Sequence, residues 1–375
     1  MFANFNFFIY LFSASFVFFF IFFYSLIKKI NSKVALSVLS IICWCIIFRY
    51  KIYIPIALSV YFYLITLSFK KNIINKLVSS LLIISPLFLV KLNLEFSHLL
   101  SVIGLSFFTF RAIDVILFSS KQQKIVIYEY FAYLFLPLVW LAGPMYRWNS
   151  FKRDLLELQV PVSLEKWFSG AGQILYGIVQ KFLFAALIYN VFLSDYINKD
   201  TIESYLVVAI SYSFYLYFDF AGYTNMACGA GKLFGINLPI NFHYPILAKN
   251  PQDFWRRFHI SLSEWLRDVI FMPLYKTLME KAFFKNHRLF AQNISIFITL
   301  FCMGIWNGLE LNYIISGALF GSYSVMHNCL INFTREKENI ANILNTKIIS
   351  FFGRLTTLTF ICFSLYIFSG YSFIK

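Results

Sequence analysis

The sequence predicts an all-α polytopic membrane protein with about ten or eleven spanning helices plus short re-entrant or interfacial helices. Three observations predict this class. Of the 375 residues, 60% are hydrophobic and only 13% are charged, whereas about a quarter of the residues of a soluble domain are charged. Uncharged runs of spanning length recur along the chain. The net charge of +15 is concentrated in short connectors, for example at Lys70, Lys71 and Lys121, which is the pattern that orients helices in a bilayer.

The first apolar run, residues 7–27, carries no charge and is followed by Lys28 and Lys29. A signal peptide would begin with basic residues and end at a small-residue cleavage site. We therefore expect an uncleaved anchor whose N-terminus lies outside the cell, because the lysines follow the span. The basic connectors fit anionic headgroups of membrane lipid, and we expect no binding of nucleic acid.

The later apolar runs continue this organisation to the end of the chain. They are residues 34–48, 52–69, 77–90, 98–118, 125–141, 168–192, 205–221, 291–306, 311–332 and 348–373. Several are shorter than a full span, which favours tilted or re-entrant helices. No internal repeat or soluble segment interrupts them, so residues 1–375 are predicted to form a single membrane-embedded domain. A transporter would favour inverted repeats, and the sequence has no such symmetry.

Two regions, about 142–168 and 235–290, break the apolar pattern. The second interleaves Lys, Arg, Asp and Glu with aromatic residues, a composition that is typical of interfacial helices. Irregular backbone at membrane depth must be buried in protein or must line a cavity that contains water. We therefore expect the functional site in these two regions.

Ionisable residues within apolar runs are costly to bury and are therefore candidates for function. Asp219 lies near the end of one run, and we expect it to pair with an arginine of residues 254–268. Arg111 and Asp114 are three residues apart on a predicted helix, so we expect them to pair with each other.

His259 differs from the other histidines because it lies among aromatic and basic residues in the second region. Nearby arginines would disfavour its protonated form, which suits a neutral base or a hydrogen-bond donor. The alternative is a structural histidine that ties two short helices together. The sequence has no phosphate-binding loop, no Gly-x-Ser-x-Gly elbow and no His-Glu-x-x-His pair, and its cysteines lack metal or disulfide spacing. We expect no metal and no tightly bound cofactor.

Several segments resemble the membrane-bound O-acyltransferase (MBOAT) family. The core resemblance is carried by residues 217–226 (YFDFAGYTNM), 238–242 (LPINF) and 254–268 (FWRRFHISLSEWLRD). Residues 104–110 (GLSFFTF) and 143–147 (GPMYR) resemble two further family segments in the same order. The resemblance covers about residues 100–330 of the chain. It is closest to the acyltransferases that place D-alanine on teichoic acids.

The alternative branch is the alginate-type O-acetylases, which act on exopolysaccharides. Those proteins carry a Gly-Gly-Asn-Arg-like stretch soon after a Pro-Leu pair, whereas here Pro273 and Leu274 lead into YKTLM. That difference favours the D-alanyl branch.

The resemblance implies a helical bundle with a narrow passage, in the bacterial cell membrane. It implies an acyl thioester donor at the cytoplasmic side, in which the phosphopantetheine arm of a small acyl-carrier protein carries the acyl group. The acceptor would be a hydroxyl of a cell-envelope polymer or lipid-linked glycan, presented from outside directly or through a partner protein. The acyl group implied by the branch is D-alanyl.

The chain departs from the family pattern at one position. The family has its principal catalytic histidine in a Trp-His-Gly motif, and the matching residues 303–308 read MGIWNG, so Asn307 stands there. An amide orients or donates but does not act as a general base. The resemblance implies catalytic positions at His259, which is retained, and at Asn307. The other implied substrate-binding or structural residues are Arg147, Asp219, Asn225, Trp255, Arg256, Ser261, Trp265, Arg267, Asp268 and Trp306.

Three interpretations of Asn307 remain open. The chain transfers acyl groups through His259 or with help from the substrate; or it is a catalytically impaired homologue that binds a carrier partner; or the histidine was replaced deliberately. In each case we expect one polar seam to run from Arg147 through Asp219 and His259 to Asn307. His327 follows Asn307 by about twenty residues, where the family often has a histidine.

Overall fold

The computed structural model describes residues 53–69, 73–92, 104–120, 124–140, 142–156, 163–335 and 347–373, with a few positions between 38 and 45. These residues form helices, turns and one isolated antiparallel bridge between Phe242 and Phe258, and they contain no strand. The all-α class is therefore confirmed for this part of the chain. The predicted anchor at residues 7–27 lies outside the described residues.

The helices are numbered here in chain order. They are α1 Tyr53–Phe69, α2 Ile73–Lys91, α3 Leu105–Phe118, α4 Ile127–Leu134, α5 Trp148–Leu156, α6 Leu164–Tyr196, α7 Ile202–Leu233, α8 Pro251–Trp255, α9 Ile260–Leu266, α10 Met272–Glu280, α11 Ala282–Asn286, α12 Arg288–Asn307, α13 Leu311–Arg335 and α14 Lys347–Ser369. Helix α6 contains π-helical turns at Val179–Ala185 and Tyr189–Leu193, and a third π-helical turn, Arg267–Phe271, joins α9 to α10.

Five of these helices, α6, α7, α12, α13 and α14, are long and apolar enough to cross a membrane. Their outward faces are apolar as well: Leu175, Leu206 and Phe351 are each more than 60% exposed. Apolar surface on that scale is typical of a protein that contacts lipid. The described residues thus support five spans, and the larger number of ten or eleven stays a prediction.

One apolar run and one region that breaks the apolar pattern do not form the long helices that a span requires. Residues 125–141 form the short helix α4 and then a 3₁₀ turn, Pro137–Val139, because Pro137 supplies no N–H to continue the helix. Residues 235–290 form the short helices α8 to α11, as the mixed polar and aromatic composition predicted.

The chain is arranged as two compact units. The first comprises Met1–Gly177 and Tyr223–Pro239, and the second comprises Ile178–Gly222 and Ile240–Lys375. Helices α6 and α7 each contribute residues to both units. The prediction of a single domain stays a prediction.

Buried charges organise the first unit. Asp114 accepts from Arg147 Nε at 2.7 Å and from the backbone N–H of Trp148 at 2.7 Å. The Arg111 guanidinium instead donates to the carbonyl oxygens of Tyr133 and Leu134, at 2.8 and 2.6 Å. The predicted pair between Arg111 and Asp114 is therefore wrong. Carbonyl groups at the end of α4 accept the hydrogen bonds of the buried Arg111 guanidinium. The Asp114 carboxylate instead binds the Arg147 guanidinium and the N–H of Trp148, which has no partner within α5 because it lies at the start of that helix.

In the second unit, α12 and α13 form an antiparallel hairpin. A Cβ atom added to Gly304 would lie 2.6 Å from the Gly317 Cα, so only glycine permits this approach. Asn328 Nδ2 donates to Asn293 Oδ1 at 2.7 Å nearer the other end of the pair. Small residues and interhelical amide bonds are the usual means of holding helices together in a membrane.

Candidate functional site

The connector between α7 and α8, residues 234–250, positions His259. After α7 ends, residues 240–243 run antiparallel to residues 257–260, since the Phe242–Phe258 bridge lies between two backbone hydrogen bonds. His243 N donates to Arg257 O at 2.9 Å, and Ile260 N donates to Asn241 O at 3.0 Å. This pairing places the Asn241 side chain beside the His259 ring.

The His259 backbone is in the left-handed region, with φ 50° and ψ 48°. Few residues other than glycine adopt this conformation, and it is held here because His259 is the N-terminal cap of α9, where its carbonyl accepts from Ser263 N at 3.0 Å. Strained backbone of this kind clusters at functional sites. The backbone conformation sets the direction in which the Cα–Cβ bond of His259 leaves the chain.

The His259 side chain is buried, with 7% of the residue exposed. Its ring meets the edge of Phe220 on α7 at 4.7 Å between centroids, and Trp306 on α12 at 6.4 Å. Burial in this apolar setting lowers the pKa of the imidazole to about 3. The sequence predicted a neutral imidazole but attributed it to arginines. Arg256 is exposed and Arg257 pairs with Asp253 at 3.0 Å, and burial is the cause.

Asn241 organises the start of α9. Its Oδ1 accepts from Ser261 Oγ at 2.8 Å, from Ser261 N at 3.2 Å and from His259 Nδ1 at 3.1 Å. Ser261 and Trp265 are both buried on α9. Asn241 lies within one of the family-like segments, but sequence reasoning assigned it no role. The signal that could have found it was an asparagine in a proline-containing connector shortly before the histidine.

Trp306 and Asn307 form the last turn of α12. The tryptophan ring faces His259, whereas Asn307 is exposed and its Nδ2 donates to the Met303 carbonyl at 2.9 Å. That bond engages the amide nitrogen of Asn307. The chain therefore brings a neutral imidazole and the final turn of α12 into one site.

Asp219 forms a buried ion pair with Lys181, whose side chain extends from the first π-helical turn of α6. The predicted arginine partner from residues 254–268 is wrong. Arg256 and Arg267 of that segment are exposed, whereas Lys181 on α6 is buried beside Asp219 on α7. Because Asp219 precedes Phe220, the ion pair lies one residue from the aromatic edge that touches His259.

The remaining motif residues of the second unit have packing or surface roles. Trp255 ends α8 and meets Phe320 of α13 edge-on at 5.0 Å between ring centroids. Arg267 Nε lies 3.0 Å from Asp268 Oδ1 in the third π-helical turn. These contacts surround the connector and do not involve the imidazole.

Arg147 and Asn225 belong to the first unit, where each has a partner. Arg147 pairs with Asp114, and Asn225 Oδ1 accepts from Gln173 Nε2 at 3.1 Å. The contact between Arg147 and Asp114 favours a structural role for both residues. Of the expected seam, Asp219, His259 and Asn307 belong to the second unit.

His327 lies far from Asn307. The antiparallel contacts of α12 with α13 place it near the level of residue 294. About 13 residues at the helical rise then separate it from Asn307, or about 20 Å along the hairpin. His327 therefore does not take the place of the histidine that the resemblance implies at position 307.

Comparison with known proteins finds acyltransferases that are similar to this chain. A teichoic acid D-alanyltransferase of Bacillus subtilis is 32% identical over 306 residues, which cover 77% of this chain and 76% of that protein. A teichoic acid D-alanyltransferase of Streptococcus thermophilus is 30% identical over 310 residues, 78% of this chain and 74% of that protein. A probable alginate O-acetylase of Pseudomonas aeruginosa is 31% identical over 245 residues, 62% of this chain and 44% of that protein.

The family model of the membrane-bound O-acyltransferases matches residues 117–372. The match includes the connector, His259, α12 and α13, and the five long apolar helices fall within it. This chain therefore belongs to the membrane-bound O-acyltransferase family: it is an O-acyltransferase that crosses the bacterial cell membrane several times.

Proposed function

We propose that the chain transfers a D-alanyl group from a thioester donor at the cytoplasmic side to a hydroxyl of a cell-envelope polymer or lipid-linked glycan. The similarity to two D-alanyltransferases over about three quarters of both chains carries this proposal. The donor in this proposal is D-alanyl phosphopantetheine on a small acyl-carrier protein. The missing acetylase stretch after Pro273 and Leu274 also supports it.

His259 is the general base of the proposed reaction. A neutral imidazole takes the proton of the acceptor hydroxyl as its oxygen attacks the thioester carbonyl. This attack forms the ester C–O bond and a tetrahedral oxyanion, and collapse of the oxyanion re-forms the carbonyl and breaks the C–S bond. The imidazolium then returns the proton to the departing thiolate, so the products are the ester and the free thiol. Burial keeps the imidazole unprotonated at neutral pH, so its lone pair is available to accept the proton.

Asn307 is a positioning group in this proposal. Its Nδ2 is engaged with the Met303 carbonyl, and its Oδ1 accepts a hydrogen bond from a substrate group other than the reacting hydroxyl, whose one proton goes to His259. An amide has no basic lone pair for proton transfer near neutral pH. The reaction therefore depends on one imidazole, and we expect it to be slower than in relatives that have two histidines.

The test is acyl transfer by the purified full chain in liposomes. The donors are D-alanyl and acetyl thioesters of the same carrier protein, and the acceptors are a glycerol-phosphate polymer and a neutral polysaccharide. We expect D-alanyl transfer to the glycerol-phosphate polymer to exceed every other combination. Preferred transfer of acetyl would contradict the proposal and support the O-acetylase branch.

A second candidate function follows from Asn307 alone. A chain that lacks the family histidine at this position fits a protein that holds a carrier partner without turnover. It predicts carrier binding by the full chain in liposomes, unaffected by His259→Gln, with no transfer from any donor. Measured transfer by the unaltered chain would exclude this candidate.

A further inference from the structure

The orientation of the Asn241 amide follows from its contact with a backbone group. Asn241 is 2% exposed, and one of its terminal atoms lies 3.2 Å from the backbone nitrogen of Ser261. A backbone nitrogen always donates. The atom that faces it must therefore be the oxygen Oδ1 and not the nitrogen Nδ2.

The same oxygen determines the donor at the histidine. His259 Nδ1 lies 3.1 Å from Asn241 Oδ1, and a carbonyl oxygen only accepts. Nδ1 must then carry the proton, and in a neutral imidazole the lone pair resides on Nε2. The tautomer of His259 is thus fixed by a chain of contacts that begins at the Ser261 backbone.

A second set of contacts holds Asn241 in this position. Its own carbonyl accepts from Ile260 N at 3.0 Å, while Oδ1 accepts from Ser261 N and Oγ. Ile260 and Ser261 are the first two residues of α9, whose N–H groups have no partner within the helix. Asn241 therefore accepts hydrogen bonds from the first two N–H groups of α9. Its Oδ1 takes part both in this capping and in fixing the tautomer of His259.

We infer that Asn241 is a positioning residue that holds His259 in the Nδ1–H tautomer, so that Nε2 is the nitrogen that accepts the proton of the acceptor hydroxyl. For its effect on rate, this inference rests on the proposed function. For the tautomer itself it does not, because the protonation of each ring nitrogen is measurable without turnover.

The first test is nitrogen NMR of the full chain in liposomes with isotope-labelled histidine. Protonated and unprotonated ring nitrogens have well-separated shifts, and the His259 signals are those lost in His259→Gln. We expect a protonated Nδ1 and an unprotonated Nε2 between about pH 6 and 8. A protonated Nε2 with an unprotonated Nδ1 would overturn the inference, whether or not the chain transfers acyl groups.

The second test compares variants at position 241. Asn241→Leu removes the acceptor, so we expect mixed tautomers and a loss of about 10- to 100-fold in kcat/KM. Asn241→Asp keeps the acceptor and adds a negative charge, so the Nδ1–H tautomer remains and the pKa of the imidazole rises. The side chains around the ring, Phe220 on α7 and Trp306 on α12, are uncharged, so the new carboxylate would dominate that shift.

The matched control is Asn312→Leu. Asn312 Nδ2 donates to the Phe368 carbonyl at 2.9 Å, which joins α13 to α14. Loss of that bond lowers the melting temperature, and we expect it to leave the His259 shifts unchanged. If Asn241→Leu lowers the melting temperature in the same way but keeps the wild-type tautomer and the wild-type kcat/KM, Asn241 only caps α9 and the inference is wrong.

Discussion

His259 combines an uncommon backbone conformation with an uncharged, buried ring. A histidine at φ 50° is strained, and the strain is held by the Phe242–Phe258 bridge and by the capping of α9. The sequence predicted a neutral imidazole at this position because arginines lie close to it in the sequence. The cause inferred from the sequence was wrong, since helix packing and not the count of arginines removes water from the ring.

The buried imidazole makes stability depend on pH. Its pKa in the folded protein is about 3, below the 6.5 of an exposed histidine. Below about pH 6.5 the unfolded chain binds a proton that the folded chain does not, so stability falls as pH falls, by at most about 1.4 kcal/mol per pH unit. We expect the melting temperature to fall more steeply between about pH 6.5 and 4 in the wild type than in His259→Gln. Parallel curves would contradict this assignment.

Asn307→His should increase acyl transfer. The variant adds a base on the turn that carries Trp306, and general-base catalysis contributes about 10²- to 10⁴-fold. Because a general base acts only while it is unprotonated, the gain should decline as the pH is lowered. The measurement is the pH–rate profile of kcat.

Asn332→His is the control for this variant. Asn332 Nδ2 also donates to the carbonyl four residues earlier, that of Asn328, on α13. An equal gain from both histidines would show that the effect is not specific to the site.

Helices α6 and α7 are joined in the second unit by the Lys181–Asp219 ion pair, at a π-helical turn. Removal of one partner leaves a buried charge, which costs about 3–5 kcal/mol. We expect Lys181→Met and Asp219→Leu each to lower the melting temperature strongly, and the double variant to recover most of the loss. If the melting temperature of the double variant falls by the sum of the decreases in the two single variants, the two residues do not act as a pair.

The α12–α13 hairpin depends on small residues at its contact. Gly304→Ala places a methyl group within 2.6 Å of Gly317 Cα and Tyr313 O, and overpacking costs about 1–3 kcal/mol. A Cβ atom added to Gly353 on α14 would meet no neighbouring atom within 4 Å, so Gly353→Ala should be neutral or stabilise by about 0.5–1 kcal/mol. Thermal unfolding in detergent distinguishes the two, and equal effects would contradict the described hairpin.

The last five apolar runs predicted α6, α7, α12, α13 and α14, in several cases within a few residues of their ends. The reason is physical: a bilayer dictates the length of an uncharged helix. The short helices between α7 and α12 were also foreseen, because alternating charged and aromatic residues do not form a spanning helix. The arrangement of His259 and Trp306 was implied only by the family resemblance.

The partners of buried charges were not predictable from spacing. Asp114 pairs with Arg147 instead of Arg111, and Asp219 pairs with Lys181 instead of an arginine. Such pairs form between segments far apart in sequence, and tertiary packing selects them. The role of Asn241 was missed for the same reason, since its contacts depend on the connector folding back on residues 257–261.

The most direct test of the proposed mechanism is the initial rate of D-alanyl transfer from a carrier thioester in proteoliposomes. It compares the wild type with His259→Gln and with His287→Gln, an exposed histidine bonded to the Phe283 carbonyl at 2.8 Å. If His259 is the general base, His259→Gln loses about 100-fold or more while His287→Gln keeps the wild-type rate. Wild-type transfer by a folded His259→Gln protein would contradict the mechanism.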